Sequence, residues 1–471
     1  MISIALLLNS ICIGQVKYHG IWEGKVNVGI SLRIAFHFNT DSLGKMFSTM
    51  DSPDQSAFGM QTDYTFIRND SIFTGITKYM VEFAGKLTSD STISGSFKQT
   101  VAVPLLLKKV TEVKVAVRYQ TPKPPFPYLT EEVTYHNLDK KANISGTITI
   151  PKTANKTSKP QVYPAVLLIS GSGPQNRDEE MMGHKPFALI ADFLTRKGFI
   201  VLRFDDRGTG KSTGIFETAT SMDFADDVSA GIEFLKQRKE VDISKIGLLG
   251  HSEGGMIAPI VAAQRKDVHF LILMAGPGIK PIDLMTEQNI AILSTMGISK
   301  KTLDTYGSLY KNISLAIIRE NDLSKASTSA SAVFNSWLSG KDSAILKELD
   351  LLTTKKQNIY VKNMVTTLSG PWFKFFFNYD PAPVLKKVNA KVLVLNGEKD
   401  VQVLPASNLA GMEAALRNSK SSYEIKVAKG VNHLFQTCKT CQASEYGELD
   451  ETISPAVLEI ISEWLTKKVL N

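Results

Sequence analysis

The chain has 471 residues, too many for one ordinary hydrophobic core, so two or three domains are expected. Its 54 basic and 46 acidic residues leave a net charge of +8, but the basic residues form no stripe and no aromatics interleave with them, which excludes a nucleic-acid-binding surface. Beyond the N-terminus no apolar run reaches about 18 residues, so no membrane span is expected.

Residues 1–14 are apolar, with Ile4-Ala5-Leu6-Leu7-Leu8 and Ile11-Cys12-Ile13-Gly14, and polar sequence follows. This pattern reads as a secretory signal cleaved near Gly14-Gln15, although a basic n-region is absent; the alternative is a buried N-terminal strand. The signal reading implies a secreted or periplasmic protein. If Cys12 leaves with the signal, Cys438 and Cys441 remain, and in an oxidising compartment two thiols so close tend to pair. Zinc would need further ligands, and only His433 is near, so a local disulfide or two inert thiols is expected rather than a metal site or redox chemistry.

Val26, Val28, Ile30, Leu32, Ile34, Phe36 and Phe38 alternate with small or polar residues, the period of a half-buried strand. Turn signals follow at Asp51-Ser52-Pro53-Asp54, Asn69-Asp70 and Ser89-Asp90, with short strands such as Tyr64-Thr65-Phe66-Ile67 and Val103-Pro104-Leu105-Leu106-Leu107 between them. Regular short strands predict a small antiparallel barrel or sandwich over about residues 15–110. Through Gly20-Ile21-Trp22-Glu23-Gly24 and Ser52-Pro53-Asp54-Gln55 the segment resembles the lipocalin-like β-domain that precedes the catalytic domain in some bacterial secreted esterases. The proline-dense Gln120-Thr121-Pro122-Lys123-Pro124-Pro125-Phe126-Pro127 then ends a semi-rigid linker spanning about 111–127.

From 128 to 471 apolar strands alternate with helical patterns, the signature of a mostly parallel sheet. Predicted strands are Ala165–Ile169, Phe199–Phe204, Ile246–Leu249, Phe270–Leu273, Lys391–Leu395 and Tyr423–Val427. Phe187, Ile190, Ala191 and Leu194 recur at helical spacing, and Ser454-Pro455 opens the last helix. From about 280 to 380 only helical patterns and polar loops occur, which predicts a helical cap. Its aromatics, Trp372, Phe373, Phe375, Phe376, Phe377 and Tyr379, either dock the cap or line the site.

Gly250-His251-Ser252-Glu253-Gly254-Gly255 follows an apolar strand and precedes the helix-like Met256-Ile257-Ala258. Strand, Gly-x-Ser-x-Gly, helix is the context in which a sharp turn lifts a serine hydroxyl to the top of a sheet. Such a hydroxyl needs a base and an orienting acid. His433 is the only histidine in the last 200 residues and is the expected base; His251 is expected to point away from the site. The expected acid is Asp400, in Asn396-Gly397-Glu398-Lys399-Asp400 after a strand, with Glu398 the local competitor. Oxyanion donors are expected from the backbone N–H groups of Glu253 and of Ser172 in Ser170-Gly171-Ser172-Gly173-Pro174, with Gly173 the near alternative. Gly210-Lys211-Ser212 imitates the tail of a phosphate-binding loop, but Asp205 occupies the place of its first glycine. Asp206-Arg207 is expected to form a structural ion pair instead.

The words Ser170–Glu179, Asp206-Arg207-Gly208-Thr209-Gly210-Lys211-Ser212, Gly250–Gly255, Asn396–Val403 and Asn432-His433-Leu434-Phe435-Gln436 resemble a bacterial family of serine α/β-hydrolases, esterases grouped near serine aminopeptidases. The resemblance implies an α/β-hydrolase sheet, doubly wound and mostly parallel, with a helical cap, preceded here by the small all-β domain. It implies a carboxylesterase acting on small-molecule esters of short acyl chains, with Ser252, Asp400 and His433 as triad and no cofactor. Activity should then fall as His433 protonates. An aminopeptidase with the same triad is the alternative; it requires a carboxylate facing the site, and the cap offers Glu287, Glu320 and Asp322. A ligand-binding protein acting through the β-domain is the third reading.

Overall fold

The computed structural model describes residues 16–27, 31–55, 57–99, 102–114, 118–139, 141–152 and 161–471. The expected signal segment with Cys12 lies outside them, as do residues 115–117 of the expected linker. Two compact units emerge. One comprises the residues up to Tyr119 with Glu180–His184 and Tyr446–Asp450; the other comprises Gln120–Glu179, Lys185–Glu445 and Glu451–Asn471.

The first unit is built on nine strands: β1 (Gly20–Asn27), β2 (Ser31–Thr40), β3 (Met46–Ser52), β4 (Ala57–Gln61), β5 (Tyr64–Arg68), β6 (Ser71–Ile76), β7 (Val81–Ser89), β8 (Thr92–Lys98) and β9 (Ala102–Val110). They form one antiparallel sheet in the order β4-β3-β2-β1-β9-β8-β7-β6-β5. The alternation over 26–38 falls on two antiparallel strands rather than one, with Asn27 paired to Ser31; Val28 and Ile30 lie outside the described residues. A two-residue turn at Asn69 and Asp70, both with positive φ of 50° and 55°, joins β5 to β6, as a right-twisted hairpin requires. Trp22, Phe36, Phe38, Phe83, Ile93, Leu105 and Leu107 are buried on one face, with Phe36 stacked on Phe83 at 5.1 Å. Edge strands β4 and β5 do not pair with each other, so the sheet is an open half-barrel, neither a closed barrel nor a sandwich. A hydroxyl cluster helps to curl it: Ser48 Oγ on β3 lies 2.7 Å from Thr65 Oγ1 on β5 and 2.9 Å from Thr74 Oγ1 on β6.

The second unit carries an eight-stranded sheet: β10 (Tyr128–His136), β11 (Asn143–Pro151), β12 (Tyr163–Ile169), β13 (Ile200–Phe204), β14 (Val241–His251), β15 (Phe270–Met274), β16 (Lys391–Gly397) and β17 (Ser422–Ala428). Their order is β10-β11-β13-β12-β14-β15-β16-β17. The pairs β10/β11 and β11/β13 are antiparallel and the rest are parallel. Strands β10 and β11 are additions to the predicted set; Thr130, Glu131, Glu132 and Thr134 make the edge strand β10 look like a polar connection. Along β12 every residue is buried, which is why it reads as a continuous apolar run. Its alternate residues serve two cores. Ala165, Leu167 and Ile169 face one apolar cluster, and Val166 and Leu168 face another.

Three helices intervene among the first strands: α1 (Pro186–Arg196), α2 (Ser221–Lys236) and α3 (Gly254–Gln264). Between β15 and β16 come seven more and no strand: α4 (Pro281–Thr295), α5 (Lys300–Ile318), α6 (Leu323–Leu338), α7 (Ser343–Glu348), α8 (Thr354–Leu368), α9 (Pro371–Asn378) and α10 (Pro381–Leu385). The last two are α11 (Pro405–Leu416) and α12 (Pro455–Leu465). Among the described residues no helix is long and apolar enough to cross a membrane. Cys438 and Cys441 are joined in a disulfide.

Candidate active site

The turn between β14 and α3 is built by close backbone approach. A Cβ on Gly250 would lie 2.0 Å from the Gly254 carbonyl oxygen, and one on Gly254 would lie 2.1 Å from that of Ile169. Only glycine fits either place. Ser252 sits between them with φ of +53°, a strained value for a residue with a Cβ. Its N–H donates to the Met274 carbonyl at 2.9 Å, which locks the turn to the neighbouring strand. Because Glu253 precedes the helix, its amide has no carbonyl four residues back to bond.

Two of the residues expected to act together meet. His433, in the loop after β17, meets Asp400, in the loop after β16: Nδ1 lies 2.8 Å from Oδ2. Both side chains are buried. The other Asp400 oxygen accepts the amides of Gln402 at 2.8 Å and Val403 at 2.9 Å, so the carboxylate is fully occupied and aimed. Glu398 is exposed and accepts the Gly430 amide, which removes it as the acid. Ser252, Ser172, Gly173 and Glu253 line one cavity of about 500 Å³. Among the described residues no hydrogen bond joins Ser252 to His433; bonds of this kind often tighten only when substrate is bound. His433 is instead tied to the serine turn through His251, whose ring lies 4.9 Å from its own.

Apolar side chains dominate the rest of the cavity: Phe216, Leu284, Met285, Trp372, Phe373 and Phe376, with Gln288, Gln402 and Glu217 as polar exceptions. The cap aromatics thus divide. Trp372, Phe373 and Phe376 line the cavity and pack against the core as well, while Phe375, Phe377 and Tyr379 pack against the core without lining the cavity. Trp372 donates its indole N–H to Glu253 Oε1 at 2.8 Å, and Ser221 donates to the same oxygen at 2.6 Å. Burial pushes the Glu253 carboxyl up from its ordinary range, and these two hydrogen bonds only partly offset it. None of Glu287, Glu320 and Asp322 lines the cavity. Glu287 accepts from Ser407, Glu320 from Ser329, and Asp322 caps α6.

Two expectations about the surrounding loops need correction. Arg207 does not pair with Asp206; it makes two bonds to Asp227, at 2.7 and 2.8 Å, and a longer one to Asp223. Neighbouring side chains on this turn diverge, so Asp206 instead accepts from Ser170 Oγ and the Gln175 amide, and burial raises its carboxyl well above the usual range. Asp205 holds Arg177 at 2.7 Å, spending its charge on the loop where a phosphate loop would need none. Nor does His251 point away from the site. It is buried between Glu179 and the His433 carbonyl, at 2.9 and 3.1 Å. Period two fails here because His251 ends its strand, and the partner Glu179 lies 72 residues away in sequence.

Residues 184–337 match the family model described as serine aminopeptidase, S33. That stretch includes Ser252 and stops before Asp400 and His433. Among curated proteins, the chain is similar to esterase EstD of Thermotoga maritima, 24% identical over 69% of this chain and 66% of that one. It is also similar to the bifunctional esterase/perhydrolase DCH of Acinetobacter calcoaceticus, 26% identical over 48% of this chain and 74% of that one. The chain therefore spans just under two thirds of EstD's length. Among solved structures it is similar to the Pyrococcus furiosus esterase Pf2001, with a TM-score of 0.41 and 13% identity over 73% of this chain and 94% of that one. The family match covers about a third of the chain and falls almost wholly within the second unit, whose eight-stranded mixed sheet is mostly parallel and interleaved with helices.

Proposed function

We propose that the chain is a serine hydrolase of small carboxylic esters. One observation carries this reading: a serine held at φ of +53° on a strand-to-helix turn lines a largely apolar cavity, beside a buried His433–Asp400 pair at 2.8 Å. In this reading Ser252 attacks the acyl carbon and His433 accepts its proton. Asp400 fixes the imidazole tautomer and stabilises its charged form. The amides of Glu253 and Ser172 receive the developing oxyanion, and water activated by His433 then hydrolyses the acyl-enzyme. The esterase names of EstD and DCH, which match longer stretches of the chain than the similar dipeptidyl peptidase 8 of Homo sapiens, support an ester over an amide. Ser252→Ala is expected to lower kcat for a short-chain aryl ester by about a million-fold. Near-normal turnover in that variant contradicts the assignment.

The family description favours a second reading, an aminopeptidase with the same residues. The cap carboxylates Glu287, Glu320 and Asp322 are engaged elsewhere and Glu253 is pushed toward its neutral form, which leaves Glu217 as the lining carboxylate that a free amine would need. Hydrolysis of an ester and of the matching aminoacyl amide, measured side by side, separates the two. Export from the cytoplasm belongs to the same proposal, and the Cys438–Cys441 disulfide suits an oxidising compartment.

A further inference from the structure

His251 has a proton inventory that the esterase reading leaves unused. Its Nε2 faces the backbone carbonyl of His433 at 3.1 Å. A carbonyl oxygen only accepts, so Nε2 carries a hydrogen. Its Nδ1 faces Glu179 Oε1 at 2.9 Å, and the same oxygen accepts the Gly171 N–H at 2.7 Å. An oxygen already accepting one N–H is arranged to accept a second rather than to donate. Both ring nitrogens therefore face acceptors, and only the imidazolium satisfies both. Glu179 is buried, with φ of +49°, a strained backbone held where its side chain can reach.

We infer that His251 and Glu179 form a buried charged clamp, distinct from the His433–Asp400 pair, that positions the catalytic loops. Three segments meet in it. Glu179 holds the Gly171 amide, one residue before Ser172. His251 directly precedes Ser252. Through the His433 carbonyl the clamp fixes the backbone of the base, whose ring is fixed separately by Asp400. Glu179, His433 and Asp400 are the titratable groups that face His251, and Phe435 closes its edge at 6.2 Å. Burial alone would pull the imidazolium down, but Glu179, the His433 carbonyl and Asp400 outweigh it and hold it above the ordinary histidine value. His251 and Glu179 are positioning residues, since neither lines the cavity.

The inference rests on the serine-hydrolase reading, and the tests keep the two apart. The first is nitrogen NMR of ¹⁵N-histidine-labelled wild-type chain at pH 7, with His251 recognised by its through-space contact with Phe435. Two protonated ring nitrogens are expected; one unprotonated nitrogen overturns the clamp, whatever the enzyme does. The second is kinetic. Glu179→Gln is expected to lower kcat about tenfold or more with KM within about twofold, and to move the alkaline limb of the kcat profile down by a pH unit or more, since the counter-charge is gone. Glu179→Asp should bring that limb back. An alkaline limb unmoved in Glu179→Gln contradicts the inference, because a merely structural role lowers rate without moving it. Labelling of Ser252 by a fluorophosphonate reports on the underlying reading alone: an unlabelled serine sinks the hydrolase, while a labelled serine beside a neutral His251 sinks only the clamp.

Discussion

At the scale of single residues, the site is a set of buried groups whose charges are settled by their neighbours. Asp400 spends one oxygen on two backbone amides and the other on His433. Asp400→Asn keeps the shape but favours the wrong imidazole tautomer, and a drop of about 10⁴-fold in kcat is expected from the same change in other triads. Steady-state kinetics on a soluble aryl ester checks it. Glu253 shows the opposite economy. Its carboxyl is buried with two neutral donors and no cation among the described residues, so its folded pKa is raised. The sign follows from linkage. The folded state holds this proton more tightly than the unfolded one, so stability declines as pH rises from the unfolded value of about 4.3 through the raised one. Glu253→Gln keeps a carbonyl acceptor for Trp372 and Ser221 and removes that decline. Its Tm is expected to exceed wild type at pH 7 and to converge with it near pH 4; a thermal melt series across pH decides.

At the scale of elements, an indole joins α9 to the Ser252 turn. Trp372 on α9 stacks on Phe376 at 4.6 Å and donates to Glu253, the residue after the serine. Trp372→Phe preserves the ring and loses the donor, worth about 1 kcal/mol when the acceptor is a carboxyl pushed toward its neutral form. That corresponds to roughly a fivefold rise in KM with kcat within about twofold; a large fall in kcat instead would place Trp372 in the chemistry. The loop after β13 is held differently, by the buried Arg207–Asp227 pair. Arg207→Met strands Asp227, whose carboxyl burial already raises, and should cost about 3–5 kcal/mol of stability by urea unfolding.

The same elements show what a sequence can carry. The parallel strands β12 to β16 announce themselves because burial on both faces demands continuous apolar runs. The serine turn is legible because only glycine tolerates a carbonyl 2.0 Å from its Cβ position. Asp400 and His433 follow from their places after successive strands. The edge strand β10 hides behind its outward polar residues. The Glu253–Trp372 bond spans 119 residues and the His251–Glu179 contact 72, and no local pattern encodes a meeting at such separations.

At the scale of the whole molecule, the first unit is not a continuous stretch of chain. Arg118 donates to the carbonyls of Met182, Gly447 and Leu449, residues that belong to that unit despite their distance in sequence. Met182, Tyr446 and Leu449 are buried there. Deleting residues 16–119 exposes all three and strands the segments that carry them, so the truncated chain is expected to melt lower and to aggregate, by scanning calorimetry and light scattering. A truncated chain with unchanged Tm contradicts the division. Everything functional depends on one hydroxyl being the nucleophile. Reaction with an active-site-directed fluorophosphonate, followed by mapping of the modified peptide, tests this most directly. The account predicts a single adduct on Ser252, lost in His433→Ala; an unmodified Ser252, or an adduct on another residue, contradicts it.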